Sequence, residues 1–249
     1  MDINRITNPL RLAKGSHQPG SGKGCAMNVI SYINGDEQIT DFPVCSARPL
    51  ACLVQSCNDL LAGPDGYLSP ENSVLALELG WQTMGTAAVP NTVIHAWVAE
   101  LLTNPDWGVV RYAKLTAMKA IIDISELHRR LAAGDMAPIA AWDAADRAAR
   151  AAARGIGPAT HAAGRYALQA AYESTALVDT RDEAALAAVA GNALRTHAWA
   201  TGDTMENRVM RLTRRAVATW RELAGLDNAR RIDQASVDDN AARLMAVAA

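Results

Sequence analysis

The chain has 249 residues, of which 50% are apolar and 20% charged, and a formal net charge of −2. These values exclude a wholly disordered polymer and a surface that is electropositive throughout. No stretch approaches the roughly 18 apolar residues of a membrane span, and MDINRITNPLRLAKG lacks the apolar run of an export signal. The expected setting is therefore the cytoplasm, with no membrane partner.

The length suits one principal domain, with or without a small helical appendage. Alanine supplies much of the apolar fraction and Phe42 is the single phenylalanine. Burial must then come from Leu, Val, Ile, Met and six tryptophans set between small-sided helices. Trp81, Trp97, Trp107, Trp142, Trp199 and Trp220 are expected in the core, with an exposed recognition patch as the competing role.

Residues 1–24 carry Pro9, Gly15, Pro19, Gly20, Gly22 and Gly24 and are expected to form an irregular arm with a short strand around ITNPLRL. CAMNVISYI, residues 25–33, can begin a helix after Gly24. The competing solution is a short hairpin, NVISYI and DEQIT joined across Asn34-Gly35. LACLVQSCNDLLAG, residues 50–63, has Leu50, Leu53, Val54, Cys57 and Leu61 at helical spacing, with Asn58-Asp59 expected to cap or end the helix. Ser69, Pro70 and Glu71 supply a cap and first turn for VLALELGWQTMG, which Gly80 and Gly85 shorten or interrupt.

NTVIHAWVAELLTN follows Pro90 as a helix, and one further helix is expected from Trp107 through Ala133. Helical runs at 138–154, 159–177, 181–200 and 204–224 come next, and a last helix from about 236 closes the chain. Their short connections favour antiparallel neighbours, and no fixed repeat recurs. The predicted fold is mainly α: an irregular antiparallel helical bundle with a Gly/Cys-bearing N-terminal loop region at 1–49, a helical body at 50–200 and a C-terminal helical extension at 204–249.

Cys25, Cys45, Cys52 and Cys57 allow three disulfide pairings. In a cytoplasmic chain, reduced thiols or metal ligands are the better expectation. A zinc centre would use His17, Cys25 and Cys45, with Cys52, Cys57 or Asp41 completing the shell, because thiolates and neutral imidazole suit tetrahedral Zn²⁺. There is no CxxC pair, and Cys52 and Cys57 stand about 140° apart around a helix. Ordinary core cysteines and no cofactor are therefore preferred. A third solution makes Cys25 a nucleophile whose pKa the helix start lowers, with His17 as its base. GSGKG at 20–24 lacks the rest of a phosphate loop.

Gly15-Ser16-His17, Gly24-Cys25-Ala26-Met27, Gly35, Asp41-Phe42-Pro43-Val44-Cys45, Asn58-Asp59 and Gly85-Thr86 form a pattern across residues 12–86. It resembles an uncharacterised actinobacterial and actinobacteriophage family. Asn28 and Phe42 stand where members of that family often carry Glu and His, which removes two ionisable groups from any shared site. The resemblance implies a bacterial or phage setting, the host cytoplasm in the latter case, and no reaction.

Elsewhere, His95 is expected at the edge of the core, and His128, His161 and His197 as partly exposed hydrogen-bonding histidines. Asp143 and Asp146 lie beside Arg147 and Arg150 and suggest local charge pairing. MENRVMRLTRRAVATWREL, residues 205–223, aligns Arg208, Arg211 and Arg215 along one side with Arg214 nearby. That face could meet phosphates or an acidic protein groove. The leading functional expectation is a non-catalytic protein-interaction or regulatory protein, binding a protein partner or another copy of itself. The alternatives are a zinc- or cysteine-dependent enzyme centred on the N-terminal region, and a nucleic-acid-binding protein using the helix at 205–223.

Overall fold

A computed structural model describes residues 11–17, 21–156 and 162–226. The last predicted helix, His161 and most of the ITNPLRL strand lie outside the described residues. Within them the chain is a mainly α-helical, irregular antiparallel bundle with no sheet, only isolated bridges between Ala13 and Tyr67 and between Ser46 and Met84. The helices are α1 (Ala26–Asn34), α2 (Arg48–Leu61), α3 (Pro70–Gln82), α4 (Asn91–Thr103), α5 (Leu115–Ala132), α6 (Ile139–Arg154), α7 (Ala162–Ser174), α8 (Glu183–Ala198) and α9 (Met205–Leu223).

Local chemistry accounts for most of the ends. Ser69, Asp182 and Thr204 each accept a hydrogen bond from a backbone N–H in the first turn of α3, α8 and α9, satisfying donors that the helix itself leaves open. At Asn34-Gly35 the hairpin does not form. Gly35 takes a φ of +76° and returns its N–H to Ser31 and Tyr32, so the dipeptide ends α1 instead of turning two strands. Gly80 does not interrupt α3 either: a Cβ there would sit 2.9 Å from Ile30 Cγ1, so its missing side chain admits α1.

The helix expected from Trp107 through Ala133 is broken. Gly108 lies so close to Asn104 that a Cβ would meet its backbone nitrogen at 2.5 Å, and the chain then makes a 3₁₀ turn over Val109–Tyr112 before α5 begins. A second 3₁₀ turn, Thr175–Val178, ends the run expected at 159–177.

One continuous apolar core runs from Leu12 to Trp220. α2 contributes Leu50, Ala51, Leu53, Val54, Cys57 and Leu61 and packs against α8 and α9, while α4 packs against α5 and α7 against α8. Small residues permit the close approaches: a Cβ on Gly164 of α7 would stand 3.0 Å from the Tyr112 carbonyl. Large side chains close the junctions, with Trp97 and Trp220 meeting edge-to-face at 5.7 Å. Trp107 and Trp142 are also buried, Trp81 packs against the core, and Trp199 is the exposed exception.

Trp97 and Trp220 are both enclosed, but among the described residues only the Trp97 indole N–H finds an acceptor, the Ala216 carbonyl at 2.8 Å, and Trp220 Nε1 has none. Replacing either by Phe removes similar volume, and only at Trp97 is a hydrogen bond lost. Trp97→Phe is therefore expected to destabilise the protein by about 1 kcal/mol more than Trp220→Phe in chemical denaturation. Equal midpoints for the two variants would contradict that accounting.

Candidate functional site

The Gly/Cys-bearing region is held by a buried polar network. Asn58 does not cap α2. It is fully enclosed within that helix, accepting from the Ala26 N–H at 3.2 Å and donating to the Ala13 carbonyl at 3.0 Å. Next to it, Asp59 accepts from the Gly15 N–H at 2.8 Å. Asn58 thus clamps two separate passages of chain onto α2, around Ala13 and around Ala26, and Asp59 adds a second hold on the first of them.

Asp41 is the second node. It accepts from the Asn28 amide at 3.0 Å, the Gln55 amide at 3.0 Å and the Cys25 thiol at 3.3 Å, while Gln55 also reaches Ser16 Oγ. Asn28 Oδ1 accepts from the Cys25 N–H at the start of α1. Thr86 completes the set, accepting from the Ala47 N–H and donating to the Thr83 carbonyl. Ser16, Cys25, Asn28, Asp41 and Gln55 are therefore joined in space. Gln55, which connects Ser16 to Asp41, carried no motif signal and was not singled out in the sequence.

Cys25 sits at the N-cap of α1, at the helix start anticipated for a nucleophile, but its electrostatics run the other way. Burial, with the Asp41 carboxylate adding to it, pushes the thiol up to about 12. Burial likewise raises Cys57 to about 12 and Cys52 to about 11, and Cys45, only half-buried, is raised as well. The thiols are protonated at neutral pH and suited to packing. No hydrogen bond joins His17 to Cys25, and His17 Nε2 is enclosed without a partner. Among the described residues, His17, Cys25, Cys45, Cys52, Cys57 and Asp41 supply no group of three or more metal-ligating side chains.

The arginine stripe of α9 is also rearranged. Arg208 is buried, not on the exposed face: its guanidinium donates to the carbonyls of His197 at 2.7 Å, Ala198 at 2.9 Å and Asp203. It thereby satisfies orphan carbonyls at the end of α8 and in the loop beyond. Arg211 pairs with Asp203 at 3.4 Å and Arg214 with Glu78 at 3.2 Å, leaving Arg211, Arg214 and Arg215 exposed. The period of α9 identified its charged side correctly but not the gap after α8 that draws Arg208 inward.

Three histidines expected at the edge or partly in solvent are buried. His197 Nε2 donates to the Trp107 carbonyl at 3.0 Å, and burial, with the charges of Arg111, Arg211 and Arg208 adding to it, holds it down to about 4. His95 and His128 meet each other, Nδ1 to Nδ1, at 3.0 Å. Asp146 and Arg150 form the local pair expected on α6, at 2.9 Å, and Arg150 also covers the Tyr172 ring.

A groove of about 1310 Å³ opens between α5, α6 and the start of α7. Its walls are small: Ala117, Ala120, Ala148, Ala151, Ala152 and Gly164. Leu115, 85% exposed, stands at its mouth beside Lys114 and Lys119. Ile156 closes one end, adjoining residues 157–161, which lie outside the described chain. No sequence motif marked this surface; the one available signal was the run of alanines facing outward on α6.

Comparison with protein-family models, with curated proteins and with solved structures finds no match for this chain.

The burial order of the thiols is directly measurable. Under native conditions near pH 8, alkylation followed by mass spectrometry is expected to label Cys45 first, and Cys25, Cys52 and Cys57 at least about tenfold more slowly, as protection by structure requires. Rapid labelling of Cys25 would restore it as a reactive thiol.

Proposed function

We propose that this chain is a non-catalytic helical interaction protein of a bacterial or phage-infected cytoplasm, and that the groove between α5, α6 and α7 receives an amphipathic helix of a protein partner. The single observation that carries this is the groove's shape and lining. At about 1310 Å³ it exceeds the ~300–1,000 Å³ usual for small-molecule pockets. Alanine and glycine walls let a helical backbone approach closely, and Leu115, Met118 and Ile156 provide larger apolar contacts along it.

Leu115 supports the same conclusion because its apolar surface is left almost wholly in water at the first turn of α5. Exposure of a single leucine is ordinary; exposure at the mouth of an apolar groove gives a ready anchor. Lys114 and Lys119 flank that mouth, with Lys119 held by Asp123 at 2.6 Å and Lys114 in no ion pair among the described residues. The complementary partner helix therefore carries an apolar stripe at i, i+3, i+4 and i+7 bordered by Asp or Glu.

A library of amphipathic helical peptides selected against the full chain tests this. Enriched peptides are expected to carry acidic residues beside their apolar stripe. They should also lose at least about tenfold in affinity, about 1.4 kcal/mol, on either Leu115→Asp or Ala151→Leu, both at exposed positions. Binding undiminished in both variants, or selection of peptides that do not compete for one site, would overturn the assignment. A concentration-dependent dimer abolished by Leu115→Asp would overturn it differently, giving the groove to a second copy of the chain.

A further inference from the structure

His95 on α4 and His128 on α5 share one hydrogen bond in a buried place, and their surroundings determine who donates. Ser174 Oγ gives its proton to the Ala171 carbonyl at 2.6 Å, so at 3.0 Å from His128 Nε2 it can only accept. His128 is therefore protonated at Nε2, and its bare Nδ1 accepts from His95 Nδ1–H at 3.0 Å. His95 Nε2 is left as the bare nitrogen. It has no hydrogen-bond partner among the described residues, and His95 as a whole is 5% exposed. The donors run one way, from His95 through His128 to Ser174 and Ala171.

No counter-ion among the described residues bonds either ring. Among the described residues, Glu100 of α4 bonds Asn104, Asp123 and Glu126 of α5 pair with Lys119 and Arg129, Asp135 just after α5 pairs with Arg130, and Asp146 of α6 with Arg150 and Thr175, while Asp143 of α6 is exposed. Glu173 of α7 acts on Arg150. Burial pushes His128 down to about 3, with the His95 charge adding to it, and burial also lowers His95.

Against His128 rests α6. Only Trp142 and Ala149 of its side chains are buried. Trp142 meets the His128 ring edge-on at 4.9 Å, within a small cluster formed with Leu127 and Ala137 apart from the main core. Gly134, at a φ of +81°, begins the connection that leads into α6.

We propose that the His95–His128 pair is an acid-sensitive latch for α6. A proton taken up at His95 Nε2 places an uncompensated charge against the His128 ring that Trp142 covers, and release of α6 lets water solvate the pair while α2, α8 and α9 stay folded. Proton uptake and release of α6 are linked because the solvated rings bind protons more tightly than the enclosed ones. The sign follows from pKa values that are lower closed than open. The latch is fully closed above the ordinary histidine pKa of about 6.5 and weakens as pH falls below it.

Hydrogen–deuterium exchange of the full chain at about pH 7.5 and about pH 5, corrected for intrinsic rates, tests the latch. Peptides of α6 are expected to lose at least about tenfold in protection at the lower pH relative to peptides of α2, a local opening in the usual sense. His95→Asn, which keeps a donor for His128 Nδ1 but has no second ring nitrogen, should abolish most of that loss. Loss of protection by α6 and α2 in step, no loss in α6, or a well-folded His95→Asn that behaves as the wild type would each overturn the proposal. Should the variant fail to fold, imidazole ¹⁵N shifts of the wild type decide. Protons on His95 Nδ1 and His128 Nε2 at neutral pH, with imidazolium appearing together with α6 exchange, support the latch. Reversed tautomers, or imidazolium without α6 exchange, refute it.

Discussion

Small side chains bury little area, so an alanine-rich chain of this length reaches a stable core only by bringing helix backbones close together. That constraint explains where its glycines and tryptophans fall. Gly80 admits Ile30, and Gly164 lies on the Tyr112 carbonyl. Where helices diverge, a large ring fills the gap, as Trp97 and Trp220 do between α4 and α9.

Close backbones bring polar atoms inside with them, and each then needs a partner. Asn58 answers for two passages of the N-terminal region, Arg208 for carbonyls at and beyond the end of α8, and His128 for Ser174 and His95. These groups are polar residues in a sequence otherwise dominated by apolar and surface side chains, which makes them attractive as candidate catalytic or binding residues. In the fold they are internal fasteners. Cys25 shows the difference most clearly: the helix start is present, but enclosure and a neighbouring carboxylate keep its proton on sulfur.

What the sequence made legible follows from the range of the forces involved. Helix type, the cap at Ser69 and the apolar spacing of α2 depend on residues a few positions apart, and all appear as expected. The break after Trp107 was hidden because it depends on Gly108 pressing against Asn104, and the fate of Asn34-Gly35 because one dipeptide serves both a hairpin and a helix end. Arg208 was misplaced for a related reason: helical periodicity assigns a side but does not reveal unsatisfied carbonyls on a neighbouring helix. The His95–His128 pair spans 33 residues and the His128–Ser174 contact 46, with no spacing rule to link them.

The same economy of side-chain size gives α6 its character. Alanine favours the helix locally, yet its outward methyl groups add almost nothing to the hold on α5 and α7. Its buried anchors are Trp142 and Ala149, with Ala145, Ala152 and Ala153 packed partly buried against the core. A helix fastened at so few points leaves a shallow apolar groove along its free side and concentrates its attachment on the rings beneath Trp142. Groove and histidine pair are thus two consequences of one choice of residue. Enlarging the inward alanines of α6 would tighten its attachment only by displacing α5 or α7, because the small side chains are what allow those three helices to meet.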